Sequence, residues 1–158
     1  MQIPSLAQLK KELSYLSEKE LVEVIAELSK FSRENKSFLF FKLNAKDHPG
    51  LFIEMAQEEL LEEFNKARSD HYYYAKKSAQ KIRRQMNKFL KLTKEKTDKI
   101  EVLLFFCEKM REKGFLDHHY PVLENIFQLQ LGKAVKLISQ LHEDLQFDYE
   151  GRIEELIN

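Results

Sequence analysis

The sequence predicts an all-α fold: an irregular helical bundle, or a short curved stack of antiparallel helix pairs, with seven or eight helices in a single domain over residues 1–158. Three observations carry this expectation. Apolar residues recur at alternating spacings of three and four along most of the chain, the period of one helix face. No Gly or Pro stands between Leu51 and Lys113, where Lys, Glu, Leu and Gln run on without interruption. Strand formers never alternate with polar residues over a useful length, and 4 Gly and 3 Pro are too few for the turns of a sandwich or barrel. A fold of 158 residues buries roughly 70% of its unfolded surface, and the 43% apolar content can fill that core without disulfides or metals.

Pro4 and Ser5 open the first helix, with Gln8 at capping-box spacing from Ser5; Leu6, Leu9, Leu13 and Leu16 are its expected buried stripe. Ser17 and Glu20 repeat the box, and Leu21, Val24, Ile25 and Leu28 carry the second stripe. Two boxes twelve residues apart predict a tight helical hairpin. A third helix from about Glu34 to Leu43 is apolar all round at Phe38–Phe41, so cover on more than one side is expected. Pro49 and Gly50 then mark a loop, and a fourth helix runs from Leu51 to at least Ala67. Residues 68–71 are the expected break before the next helix, with Ser69 or Asp70 as its cap. A single helix through this point would be about 43 residues and roughly 65 Å long, too long for so small a domain.

From Tyr72 the apolar seam is Tyr72, Ala75, Ala79, Ile82, Met86, Phe89 and Thr93. After a polar interruption at 94–98, Lys99 to Lys113 holds the run Val102 to Cys107 and is the predicted central helix, with Leu103, Phe105 and Phe106 among the least exposed residues. Gly114 reads as its C′ residue and Pro121 as an early position of a long helix to about Leu145, weakened at Gly132 where a close helix contact is expected. A short helix from Asp148 to Ile157 closes the chain.

The formal charge of zero hides a segregation. Residues 66–99 hold 12 Lys and Arg against 3 Asp and Glu, a net of +9; residues 1–65 carry 8 against 12, and residues 100–158 carry 6 against 11. Within the basic centre, Lys77, Lys81, Arg84, Lys88 and Lys91 follow the apolar seam displaced by two residues. That is about 200° of rotation, which puts a cationic row of about 21 Å opposite the seam. Two accounts of that row stand open: acidic faces such as Glu54, Glu58 and Glu62 neutralise it within the fold, or an external acidic ligand does.

Leu9 to Leu43, LKKELSYLSEKELVEVIAELSKFSRENKSFLFFKL, resembles the opening of an uncharacterised family of small, all-helical bacterial proteins of unknown function. The shared features are a leucine-spaced helix, a Leu-Ser-x-x-x-Leu junction and a third helix ending in aromatic and Leu positions. The resemblance covers under a quarter of the chain and implies no activity, cofactor or site residue.

Catalytic and metal signatures are missing from the sequence. The five histidines, His48, His71, His118, His119 and His142, include no His-x-x-x-His and no Glu-x-x-His pair, the spacings a helical metal site uses. There is no Gly-rich phosphate loop and no G-x-S-x-G, and the lone Cys107 lies in an apolar run that predicts a buried, inert thiol. The expectation is therefore a cytoplasmic, non-enzymatic helical interaction module that binds another protein, or itself, through the charged helix face. No cofactor, metal, small-molecule ligand or transmembrane segment is indicated. The alternative is a nucleic-acid-binding protein that contacts phosphates through the basic helix 72–93, with Tyr72, Tyr73 and Tyr74 stacking on bases. A membrane-surface role fits less well, because the seam has two alanines and lacks the large aromatics such helices insert.

Overall fold

The structure, a computed structural model, describes all residues 1–158 and contains eight α-helices and no strand. They are α1 (Leu6–Leu13), α2 (Glu18–Lys30), α3 (Arg33–Asn44), α4 (Leu51–Lys66), α5 (Tyr72–Leu90), α6 (Lys96–Glu112), α7 (Pro121–Ile138) and α8 (Glu143–Ile157). The chain divides into two compact units, Met1–Leu43 and Asn44–Asn158. No helix is long and apolar enough to cross a membrane.

In the first unit the caps form where the sequence places them. Ser5 Oγ accepts the Gln8 amide at 3.3 Å, although the Gln8 side chain turns to Glu12 and leaves that box half made. At α2 both halves close: Ser17 Oγ accepts from Glu20 N–H at 3.2 Å, and Glu20 Oε2 accepts from Ser17 N–H at 3.4 Å. The expected tight hairpin is not seen, because no two of α1, α2 and α3 pack extensively along one another. Caps determine where a helix starts and say nothing of the angle at which the next one leaves. The two leucine-rich stripes expected to be buried are largely open to solvent, with Leu6 71% and Leu28 56% exposed and only Leu16 and Leu21 half-buried. The aromatic run of α3 departs from expectation too: only Phe41 is buried, while Phe38 and Phe40 are exposed and Lys42 lies over the Phe38 ring.

The second unit is an irregular helical bundle built around α6, which packs on α4, α5, α7 and α8. Ile100, Leu103, Leu104, Phe106, Cys107 and Met110 are all buried there. Phe106 meets Phe64 of α4 at 5.6 Å between centroids, and Phe64 meets Phe115 edge-on at 5.8 Å. Phe105, expected to be among the most buried, is only half-buried, with the Lys109 ammonium over its ring. A helix surrounded by four others still leaves one strip to solvent, and Phe105 lies on it.

Gly114 ends α6 as expected. At φ +80° it is in the left-handed region, its amide donates to the Arg111 carbonyl, and the Phe115 amide donates to the Met110 carbonyl. Both bonds of a Schellman motif are thus present, and the motif turns Phe115 into the core. The start of α6 is earlier than expected: Thr93 Oγ1 accepts from Glu95 N–H and donates to Asp98 Oδ2, both at 3.1 Å, so the helix begins at Lys96.

The long helix expected from Pro121 to Leu145 is two helices. α7 stops at Ile138 and α8 starts at Glu143, with His142 Nδ1 accepting the Asp144 amide at 3.2 Å. Gln146 Nε2 donates to the carbonyls of Leu141 (2.7 Å) and Ser139 (3.3 Å), groups an unbroken helix would have satisfied along its backbone. Gly132 marks no close helix contact, since a Cβ built there meets nothing within 4 Å.

One polar tie across the bundle has no signature in the sequence. Arg152 of α8 spans Glu101 (2.7 Å) and Glu108 (2.8 and 3.2 Å), two residues seven apart on one face of α6. Arg111 reaches the other way and donates to the terminal carbonyls of α8 at Glu155 and Leu156. Next to this cluster, burial first and then the charge of Glu101 push the Tyr149 phenol up to about 12. A phenol ordinarily ionises near 10. The folded state therefore holds a proton that the unfolded chain has lost over that interval, and this group withdraws stability as pH rises from about 10 towards 12. Ultraviolet titration of the phenolates should show one tyrosine ionising late, and Tyr149→Phe should lose less stability than the parent over the same pH span. Equal losses in the two proteins would show that Tyr149 is not the protonated group.

Candidate functional site

The sequence break at 68–71 is real, and its chemistry places α5. Ser69 does not cap α5, as expected of it; its hydroxyl donates to the Lys113 carbonyl at 2.6 Å and so ties the α4–α5 connection to the end of α6. Asp70 pairs with Arg68 at 3.3 Å, and the N-cap of α5 is His71 without a side-chain bond. From there the seam expected of this helix is buried at Ala75, Ala79, Ile82, Met86 and Phe89. The two alanines permit close approach, and α5 packs against α4, α6 and α7. Tyr72 at the head of the seam stays 37% exposed and Thr93 falls beyond the helix end.

Lys77, Lys81, Arg84, Lys88 and Lys91 are all exposed, on the side of α5 away from that core. Intramolecular neutralisation of the row is partial. Lys81 Nζ lies 2.9 Å from Glu63 Oε2, and Gln85 Nε2 donates to Glu59 Oε2 at 3.0 Å. The acidic neighbours are thus Glu59 and Glu63, not the expected Glu54, Glu58 and Glu62. Glu54 pairs with His48 at 3.1 Å, and Glu58 and Glu62 face solvent. One residue along a helix is 100° of rotation, which decides which glutamates lean towards a neighbour. Arg84 and Lys91 make no ion pair, and Lys77 Nζ donates to the Tyr73 hydroxyl at 3.3 Å.

The three tyrosines form a cluster with their rings already in use. Tyr72 packs on Tyr120 at 4.8 Å between centroids, and Tyr73 meets Tyr74 edge-on at 5.4 Å. Arg68 lies 4.4 Å over the Tyr74 ring and Lys77 lies 5.3 Å over that of Tyr73. A cation over one face of each of these two rings competes with base stacking.

The groups with potential chemistry are dispersed. Cys107 is fully buried, and burial, followed by the charge of Glu108, pushes its thiol up to about 12, far from the thiolate that nucleophilic catalysis requires. His118 and His119 turn to different partners, the first to the Tyr120 ring and the second to Glu124 at 2.8 Å.

Between α7 and α8 lies an open cleft of about 440 Å³, walled by Val135, Ile138, Tyr149 and Ile153 and edged by Glu150 and Glu154. Sequence reading did not reach it, because the break at 139–142 that folds α8 against α7 was misplaced by several residues.

No known protein-family model, no curated protein and no solved structure matches this chain.

Proposed function

We propose that the protein is a non-enzymatic helical interaction module that captures an acidic segment of another protein on the exposed face of α5. The observation that carries this reading is the separation of roles around one helix. The seam is buried from Ala75 to Phe89, while Lys77, Lys81, Arg84, Lys88 and Lys91 stand in solvent and only partly meet carboxylates of their own chain. Exposed ion pairs contribute ~0–1 kcal/mol each, so a cationic row kept on that face does little for folding. A glutamate-rich segment would meet the row's ammonium and guanidinium groups along about 21 Å. Nucleic acid is the less favoured ligand, because the whole chain is neutral and the rings available for stacking carry Arg68 and Lys77.

The test compares two probes on the full chain, a short labelled polyglutamate and a labelled oligonucleotide of matched charge, at low and physiological salt. Polyglutamate should bind and should be lost in the double variant Arg84→Glu, Lys91→Glu. Tighter binding of the oligonucleotide, with a salt slope near −0.9 per phosphate neutralised on duplex DNA, would transfer the site to nucleic acid. Binding of neither probe at low salt would remove the reading altogether.

A further inference from the structure

We infer that helix α8 of a second copy of this chain is an acidic segment that the exposed face of α5 takes, an inference that rests on the reading of α5 just given. Helix α8 carries six carboxylates against one arginine, and that arginine is turned inward to Glu101 and Glu108. All six are exposed and none meets a Lys or Arg; Asp144 alone has a partner, His142 at 3.5 Å. At 100° per residue Glu143, Glu150 and Glu154 fall in one row, and Asp144, Asp148 and Glu155 in a second. Phe147 and Gly151, both exposed, lie between the two rows, and the buried Tyr149 and Leu156 lie on the opposite side of the helix. A Cβ built on Gly151 meets nothing within 4 Å, so that face is open to another helix.

The cationic face of α5 complements this one in charge and in length. From Glu143 to Glu154 the acidic face extends roughly 16 Å, within the span of about 21 Å from Lys77 to Lys91. Arg84 and Lys91 make no ion pair in their own chain, and a guanidinium can serve both a carboxylate and an exposed ring such as that of Phe147. The other acidic helices offer less. In α4, Glu54, Glu59 and Glu63 already have partners in their own chain. In α2, four glutamates stand beside two lysines, and Glu20 is held in its capping box. Helices α5 and α8 both belong to the Asn44–Asn158 unit and both pack on α6 and α7. Their charged faces are turned to solvent, so one chain does not pair them with each other. The contact is heterologous, α5 of one copy against α8 of the next.

Sedimentation of the full chain over a range of concentrations, at low and at physiological salt, tests this. At low salt the parent should show a concentration-dependent mass above 18.9 kDa that falls as salt rises. Excess polyglutamate should disperse the assembly by occupying α5. Arg84→Glu with Lys91→Glu should weaken association by about tenfold or more, and so should Glu150→Lys with Glu154→Lys, because each sets like charges face to face. The α8 variant keeps its α5 face and should bind polyglutamate as the parent does. Mixing the two variants pairs opposite charges again and should restore association, which no loss of folding could mimic. A parent that stays at 18.9 kDa at every concentration while polyglutamate binds overturns this inference and leaves the reading of α5 standing. Association that polyglutamate does not disperse, variants that associate as the parent does, or a mixture that remains monomeric overturn it equally. A monomeric parent that also fails to bind polyglutamate removes both.

Discussion

Replacing Phe106 with alanine is expected to cost about 3–5 kcal/mol, the range for deleting a fully buried aromatic ring from a packed core. The ring is 0% exposed, on the helix that four others surround, and meets Phe64 at 5.6 Å. Phe64 also packs on Phe115, which the turn at Gly114 delivers, so the cavity would open where three elements converge. A loss of that size should lower the melting temperature by about 6–20 °C for a chain of this length. Phe105→Ala, one residue along, should cost distinctly less, because its ring is half-buried and faces the Lys109 ammonium. The pair is informative together. Equal losses at the two positions would mean that α6 does not turn Phe106 inward and Phe105 towards solvent, and a loss at Phe106 below about 1 kcal/mol would place α6 at the edge of the bundle.

What was legible in the sequence is chiefly what neighbouring residues decide. The capping box of Ser17 and Glu20, the left-handed Gly114, the break at 68–71 and the buried seam of α5 all rest on interactions within a turn or two, or on a single 3.6-residue period. Distant partners were not legible. Ser69 looked like an N-cap and instead binds a carbonyl 44 residues away, and Arg152, an unremarkable cation in its own helix, holds two glutamates of α6. The same limit explains the error over α1 and α2. Leucine spacing identifies the face a helix would bury, whereas burial requires another element to lie on it, and most of the stripe residues of α1 and α2 remain exposed. The α7–α8 break was misplaced for a third reason: Leu137, Leu141 and Leu145 continue the apolar period straight through Ser139–His142, and the turn shows in the bonds that form it, Gln146 to Leu141 and Ser139 and the Asp144 amide to His142.

For the candidate site the sequence supplied the phase of the cationic row but not its surroundings, and those surroundings now sharpen the decisive experiment. Reversing Lys81, Arg84 and Lys88 to glutamate is expected to leave the melting temperature within a few degrees and to abolish capture of polyglutamate. All three heads are exposed, and the close ion pair at Lys81 joins it to Glu63 across a surface where such pairs contribute ~0–1 kcal/mol. A carboxylate at position 81 would face Glu63 at a cost of similar size, small beside the core centred on Phe106. Binding responds differently, since each reversal replaces an attraction to the acidic segment with a repulsion and the three act along one face. If the row instead held the fold together against the acidic α4, the order of effects would invert: the triple variant would unfold or lose several kcal/mol through coupled repulsions at neighbouring sites. Circular dichroism melts of parent and variant, run beside the polyglutamate titration, separate the two accounts. A folded variant that no longer binds supports association as the purpose of the row, and a variant that melts far below the parent ends that reading.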